Sequence, residues 1–204
     1  MYNMKSELMG TLRSSFMSGV CVGIAGFGYP ATQNIVGSVL FAFALLGVVH
    51  YRLKLYTGTA GFIAPEEGGY LLQVLFGNIL GCLAVALLAR ASAMPLQDAA
   101  QSFLTVRPEL GPLRGGLLSI GCGFIMTTAV TFACKGRYLP LLFGVPLFIV
   151  CGFPHCVADA FYYLTAPLEF WQANLGGILL FYFAIVLGNF VGCNFYRRVM
   201  GENP

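Results

Sequence analysis

One histidine in an apolar stretch has the clearest capacity for chemistry in this sequence. His155 lies between Pro154 and Cys156, in a run that is otherwise apolar. The unperturbed pKa of an imidazole is about 6.5, so this side chain can gain or lose a proton near neutral pH. Asp159 follows four residues later, which places it on the same face of a helix. Two roles stay open for this carboxylate: it bonds the imidazole, or it faces an aqueous vestibule.

A second interrupted segment supplies hydroxyl groups. After Tyr51 the chain reads RLKLYTGTAGFIAP, in which Thr57 and Thr59 are accompanied by glycines and a proline. A hydroxyl can donate a hydrogen bond to a small anion or to an imidazole, and it can also cap the short helix that follows. We expect Thr57 to be the functional hydroxyl of the two.

The composition indicates that these residues lie in a membrane. Of the 204 residues, 58% are hydrophobic and only 9% are charged, whereas about 25% of a typical soluble domain is charged. So few charges cannot cover a water-soluble surface. The net charge of +3 is too small and too scattered to indicate nucleic-acid binding. The chain is therefore expected to be one transmembrane domain, residues 1–204, with short cytoplasmic termini at 1–13 and 196–204.

The cysteines and histidines do not indicate a cofactor. Seven cysteines, most of them in apolar runs, are an odd number and do not form tight pairs, so a disulfide framework is not expected. With two histidines and neither a CxxC nor an HExxH motif, a structural metal site is not expected either. We interpret the cysteines as small buried hydrophobic residues.

Six segments approach the roughly 20 mostly apolar residues that a membrane-spanning helix needs. They are Ser14–Pro30, Asn34–His50, Tyr70–Ala89, Leu113–Cys134, Leu139–Leu164 and Asn174–Phe195. The chain is interrupted by glycine and proline after the second segment and inside the fifth. Non-helical backbone at membrane depth is tolerated only inside protein or along a watery cavity. The two interruptions therefore predict the position of a permeation path.

A repeated motif divides the chain into two halves. Phe76–Cys82 in the third span and Leu187–Cys193 in the sixth both read xGNxxGC. Each copy follows an interrupted span, so the order is span, broken span, span, twice over. Three spans per unit require the two units to insert in opposite orientations. We expect the glycines to allow close helix packing and each asparagine to bond a neighbouring backbone.

The basic residues predict that both termini are cytoplasmic. Eight lie on the side of the termini and three on the opposite side, which satisfies the positive-inside rule. The eight are Lys5, Arg13, Arg52, Lys54, Lys135, Arg137, Arg197 and Arg198, and the three are Arg90, Arg107 and Arg114.

Both interrupted segments resemble motifs of the formate/nitrite transporter family. Leu55-Tyr56-Thr57-Gly58 is similar to the family's Leu-Phe-Thr loop in the second span. The segment Val150–Asp159, VCGFPHCVAD, is similar to the family's fifth-span motif around a central histidine, with Pro154 in place of a glutamate. Leu187–Gly192 matches the sixth-span motif LGNxxG. The resemblance extends from about Ser14 to Phe195.

The resemblance implies an architecture. It implies an all-α membrane protein with an aquaporin-like subunit of six transmembrane helices, arranged as two inverted three-helix repeats with spans two and five broken. It further implies a pentamer in which each subunit holds its own pore, in the inner (plasma) membrane of a bacterium. Proteins of this family carry small monovalent anions of weak acids, and the resemblance implies the same here.

Residue roles follow from the resemblance by position. His155 corresponds to the central histidine and Thr57 to the loop threonine, while Arg107, and after it Arg114, stand nearest to the basic residue that draws anions to the outer mouth. The implied inner constriction is Leu55, Tyr56 and Phe148, and the implied outer constriction is Phe41, Leu45 and Met126. Departures from the family pattern are Gly123 in span four and Leu180 and Phe181 in span six, which make the pore less polar than usual.

The mechanism expected from these residues is protonation of the anion. A bare anion at the bilayer centre carries a large desolvation cost, and a proton delivered at His155 would let the neutral acid cross an apolar constriction. Formate, nitrite and hydrosulfide are all candidates, and the sequence leaves open whether passage is a passive channel or a proton-coupled carrier.

Two other functions were compared with this one. A pore for a neutral solute such as urea, ammonia or water fits the apolar lining, but not the basic mouth or the histidine motif. A membrane enzyme or an assembly subunit is disfavoured, because no nucleophile–base pair, metal-ligand cluster or phosphate loop is present in the sequence.

Overall fold

The computed structural model describes residues 2–32 and 34–201, and within those ranges every regular element is helical. The all-α prediction is therefore confirmed. The helices are α1 (Tyr2–Thr32), α2 (Ile35–His50), α3 (Tyr56–Thr59), α4 (Gly68–Arg90), α5 (Leu96–Leu104), α6 (Val106–Cys134), α7 (Leu139–Val150), α8 (Cys156–Thr165) and α9 (Leu168–Met200), with a 3₁₀ turn at Pro65–Glu67. Residues 202–204 of the predicted C-terminal tail lie outside the described part, and the predicted N-terminal tail is helical from Tyr2.

Within the described residues, four helices are long and apolar enough to cross a membrane. They cover Ser6–Tyr29, Gly68–Arg90, Val106–Cys134 and Leu168–Met200, at the positions of predicted spans one, three, four and six. The predicted second and fifth spans begin with the shorter apolar helices α2 and α7. After a non-helical stretch of the chain, α2 is followed by the short helix α3, and α7 by the short helix α8. Large apolar side chains such as Phe43, Leu113 and Phe143 are more than 70% exposed on the outside of the molecule, as contact with lipid requires.

The two interruptions begin with the same backbone geometry. Arg52 has a φ of 52° just beyond α2, and Gly152 has a φ of 66° just beyond α7. In each case the next residue, Leu53 or Phe153, donates its N–H back to a carbonyl in the last turn of the helix. This left-handed helix ending satisfies backbone carbonyls that the helix itself leaves unpaired.

The long helices pack as two equivalent pairs. α1 lies along α4, and α6 lies along α9, as the most extensive helix contacts in the described molecule. Gly81 in the first pair faces the carbonyl of Phe16, and Gly192 in the second faces the carbonyl of Ile120, so closely that a Cβ at either glycine would collide with that oxygen. The glycines of the repeated motif therefore permit close backbone approach, as predicted. The opposite orientation of the two halves in a membrane stays a prediction.

Candidate functional site

The asparagine of the first motif holds the first interruption in place. Asn78 is fully buried, and its Oδ1 accepts the N–H of Tyr56 at 2.9 Å. Its Nδ2 donates to the carbonyl of Ser15 at 2.8 Å and to that of Lys54 at 2.9 Å. One side chain thus ties α4 to α1 and to the extended backbone before α3.

The asparagine of the second motif repeats this arrangement in the other half. The Oδ1 of Asn189 accepts the N–H of Cys156 at 2.8 Å, and its Nδ2 donates to the carbonyls of Ser119 at 2.8 Å and Pro154 at 3.0 Å. The prediction that each motif asparagine bonds neighbouring backbone is confirmed. The non-helical backbone at both interruptions is satisfied inside the protein, as a membrane interior requires.

Cysteines of the same motifs also contact the interruptions. The thiol of Cys193 donates to the carbonyl of Thr57 at 3.3 Å, and the thiol of Cys82 donates to the carbonyl of Val157 at 3.4 Å. The sequence indicated only that these cysteines are buried, which they are. Their role as weak donors was missed, and the shared final cysteine of the two motifs was the available signal.

The two interruptions bring His155 and Thr57 together. The Nε2 of His155 lies 2.9 Å from the Oγ1 of Thr57, although 98 residues separate them in the chain. The Nδ1 of His155 accepts the N–H of Ala158 at 3.2 Å and so caps the start of α8. Because Nδ1 uses its lone pair in that bond, the proton of the neutral ring is on Nε2 and is donated to Thr57. Both side chains are almost fully buried.

One phenylalanine lies against this histidine, and a second phenylalanine packs on the first. The ring of His155 stacks on that of Phe148 with 5.6 Å between centroids, and Phe148 meets Phe41 edge-to-face at 6.5 Å. The sequence-based assignment had placed Phe148 at the inner constriction and Phe41 at the outer one. The structure brings the two rings together instead, because α7 packs against α2 at this level.

The other residues predicted to form constrictions are also buried in the core. Leu45, Leu55, Tyr56 and Met126 are each at most 3% exposed. The hydroxyl of Tyr56 donates to the carbonyl of Val186 at 3.2 Å, which holds its ring against α9.

A small cavity adjoins the histidine. Its volume is about 30 Å³, and His155, Phe41, Phe148, Arg107 and Asp159 are among the residues that line it. Leu45, Leu55, Tyr56 and Met126 do not line it. A space of this size holds about one water molecule or a comparably small solute. The interrupted segment with His155 and both phenylalanines therefore border one small space, and Thr57 is connected to it only through its contact with His155.

Arg107 is paired in the structure. Its Nη2 lies 3.1 Å from the Oδ1 of Asp159, and the two side chains are 6% and 2% exposed. The guanidinium carbon also lies 4.9 Å from the ring centre of Phe103 and 5.9 Å from that of Phe181. The sequence had suggested a solvent-facing charge at a mouth, whereas Arg114 alone of the two candidates is exposed. Asp159 bonds this arginine, a partner that neither of its two predicted roles named.

A larger cavity lies at the end of α2. Its volume is about 280 Å³, and Arg52, Lys54, Gly58 and Val130 are among its lining residues. Several of its lining residues belong to the interrupted segment that carries Thr57. Two of them, Arg52 and Lys54, are basic residues of the predicted cytoplasmic side. The segment with Thr57 thus lines the larger basic cavity, whereas the small cavity is lined by its hydrogen-bond partner His155.

Comparison with known proteins identifies the family. Residues 1–200 match the family model described as "Formate/nitrite transporter". A curated relative, the formate channel FocA of Haemophilus influenzae, is 24% identical over 87% of this chain and 82% of its own length. Formate-nitrite transporter 3 of Toxoplasma gondii is also 24% identical over 87% of this chain, which spans only 43% of that longer protein.

Solved structures share the fold. A pentameric formate channel with formate bound superposes with a TM-score of 0.81 at 19% identity, covering 97% of both chains. A structure described as an FNT family ion channel gives a TM-score of 0.74 at 22% identity, covering 95% of this chain and 89% of the other. With nearly the whole sequence matched by the family model, this integral membrane protein belongs to the formate/nitrite transporter family.

Proposed function

We propose that this protein carries small monovalent anions of weak acids across a membrane, in the class of formate, nitrite and hydrosulfide. The observation that carries the proposal is the 2.9 Å contact between His155 and Thr57, at the meeting point of the two interrupted segments. The titratable ring there lines a cavity for one small solute, and the hydroxyl of Thr57 bonds that ring. Two relatives are named for formate transport, which fits a substrate of this size.

Protonation at His155 lowers the barrier for such an anion. An imidazolium at position 155 passes its additional proton, held on Nδ1, to the anion, which leaves a neutral acid and a neutral ring with its proton on Nε2. The acid crosses the apolar stretch and releases its proton into water on the far side, while the ring regains a proton from the entry side. The neutral species avoids most of the desolvation cost of the bare anion.

Charging the ring has a structural consequence. The second proton of an imidazolium must sit on Nδ1, which in the structure accepts the N–H of Ala158 at 3.2 Å. That bond must open when the ring is charged. Protonation of His155 therefore removes a capping hydrogen bond from the start of α8. The hydrogen bond between Nε2 and Thr57 keeps the ring oriented.

Two apolar layers flank the histidine in this proposal. Phe41 and Phe148 form one layer, on the side of the small cavity. Leu45, one helical turn further along α2, forms the other layer with Leu55 and Met126, toward the basic cavity. Tyr56, tied to α9, supports that layer. This replaces the sequence-based division, in which Phe41 and Phe148 stood at opposite ends.

The assembly proposed is a pentamer in a bacterial inner membrane, with one pore in each subunit and both termini cytoplasmic. One structural relative is described as a pentameric formate channel, and the fold matches it over almost the whole chain. The excess of basic residues near the termini and at the end of α2 supports the orientation.

The test is flux into proteoliposomes. Uptake of formate, nitrite, hydrosulfide and chloride is measured for the wild type between about pH 5 and pH 8, a range that brackets the unperturbed imidazole pKa. We expect weak-acid uptake that rises as the pH falls, and much slower chloride uptake. Swelling in urea without any anion uptake would contradict the proposal and establish a neutral-solute pore instead.

A further inference from the structure

The Arg107–Asp159 pair is only half satisfied. One hydrogen bond joins Nη2 to Oδ1 at 3.1 Å, but the Nε of Arg107 and the Oδ2 of Asp159 find no partner among the described residues. Both atoms are buried. A buried donor and a buried acceptor without partners are costly and call for an explanation such as a bound molecule.

Both residues line the cavity that also adjoins His155. The titratable and charged side chains around this space are Tyr29 from α1, Arg107 from α6, and His155, Asp159 and Tyr162 from α8. The aromatic rings against Arg107 fix the guanidinium in position. Two residues that line the cavity thus carry one unused N–H donor and one unused carboxylate acceptor, beside a space for one small molecule.

This pattern is complementary to an acid that keeps its proton. The O–H of a small neutral acid can donate to Oδ2 of Asp159, while its other oxygen accepts from Nε–H of Arg107. An anion has only acceptors, so it would meet the negative carboxylate with no proton to offer. The arginine cannot compensate fully, since Asp159 already neutralises its charge.

We propose that the Arg107–Asp159 pair is the binding site for the protonated form of the permeant acid, and that Asp159 excludes anions that hold no proton, such as chloride. The inference rests on the proposed transport function: an anion that His155 protonates is then held as the neutral acid, whereas chloride, which stays unprotonated, is repelled by Asp159. Arg107 is then a specificity-determining residue of the path and not a free charge that attracts anions.

Replacement of Asp159 by asparagine tests the exclusion. Asp159→Asn keeps the shape of the side chain and removes its charge, which leaves the guanidinium free for an anion. We expect the ratio of chloride uptake to formate uptake to rise by about tenfold or more, since charge pairs at such distances are strong in a buried site. The double variant R107Q/D159N, without either charge, should lose this gain. Glu109→Gln, which removes an exposed carboxylate two residues from Arg107, serves as the matched control and should leave the ratio unchanged.

An unaltered chloride-to-formate ratio in D159N would overturn the inference, provided that the variant elutes and unfolds like the wild type. If wild-type liposomes show pH-dependent formate uptake in the same experiment, only this inference fails and the transport function stands. If the wild type carries no weak acid at all, both are overturned.

A neutral competitor tests the site without any variant. Formamide has the size of formic acid, an N–H donor and a carbonyl acceptor, and it does not ionise. We expect it to inhibit formate uptake by the wild type, with at least about a threefold weaker effect on D159N, where one charge-assisted hydrogen bond is weakened. Absence of inhibition of the wild type would contradict the two-point site even if D159N fails to fold.

Discussion

At the scale of single residues, His155 combines two tasks. It caps α8 by accepting the N–H of Ala158, and its Nε2 contacts Thr57 beside the small cavity. The cap contributes to the stability of the fold, whereas the proposed gain and loss of a proton serves transport. A substitution that preserves one and removes the other separates them.

His155→Asn is that substitution. Asparagine is among the preferred residues at a helix N-cap, so its Oδ1 can take the bond from Ala158, but its amide cannot exchange a proton in this pH range. We expect H155N to unfold near the wild-type temperature while its formate uptake loses the rise toward low pH. His155→Ala should lose the same pH dependence and also about 1 kcal/mol of stability with the cap.

Thermal unfolding in detergent and uptake between about pH 5 and pH 8 measure the two effects separately. A pH profile of H155N identical to that of the wild type would refute the proton-transfer role of the ring.

At the scale of elements, the interrupted segments depend on side chains from the long helices. Each motif asparagine supplies three hydrogen bonds to backbone that has no helical partner. Interrupted spans are therefore stable only together with α4 and α9, which explains why the motif recurs after each interruption.

Asn189→Ala is expected to destabilise the second half strongly. It leaves the N–H of Cys156 and the carbonyls of Ser119 and Pro154 without their partner, at a cost of about 3 kcal/mol if each bond contributes about 1 kcal/mol. Asn174→Ala is the matched control on the same helix, because Asn174 bonds only the carbonyl of Phe170 in its own preceding turn. Unfolding temperatures in detergent compare the two. An equal loss of stability in both variants would show that the hydrogen bonds of Asn189 to the interruption contribute no more than the single bond of Asn174.

The left-handed backbone after α2 and α7 leads to a second prediction at this scale. A Cβ at Gly152 would meet no atom within 4 Å, so only its φ of 66° opposes a side chain there. Gly152→Ala should cost about 1 kcal/mol, the penalty of the left-handed conformation. Arg52→Gly, at the equivalent position of the other interruption, should cost nothing, since it removes that penalty.

Gly176→Ala in α9 controls for the added methyl group, because Gly176 has equal space and no positive φ. It should be neutral or slightly stabilising. A loss of stability in G176A as large as that in G152A would contradict the explanation by backbone conformation.

At the scale of the whole molecule, the described surface is strongly apolar. Leucine, phenylalanine and valine side chains are more than half exposed on α2, α4, α7 and α9, far beyond what a soluble monomer presents. Lipid and neighbouring subunits both cover such surfaces. The proposed permeation path, by contrast, lies within a single chain, at the contact of α3 and α8 with the long helices.

We expect the purified protein to have five times the mass of the 22.0 kDa chain. Native mass spectrometry after release from detergent measures the number of subunits directly. A monomer, or a stable oligomer of another number, would contradict the pentamer.

The sequence by itself determined the membrane character, the interruptions and the position of His155 and Thr57. Each of these follows from local composition: a low charge content requires lipid-facing surface, and glycine and proline close together in an apolar run disfavour a continuous helix. Repetition of xGNxxGC also indicated two similar halves, and it correctly predicted the backbone contacts of Asn78 and Asn189.

Only the tertiary structure decided which side chains face one another. Arg107 and Asp159 are 52 residues apart, and Phe148 pairs with Phe41 of a different helix. Helical spacing shows which residues share a face, but the partner of that face depends on how the helices cross. A buried charge needs a partner of opposite charge, and in this fold Arg107 pairs with Asp159 instead of facing water. The sequence alone does not show which residue that partner is.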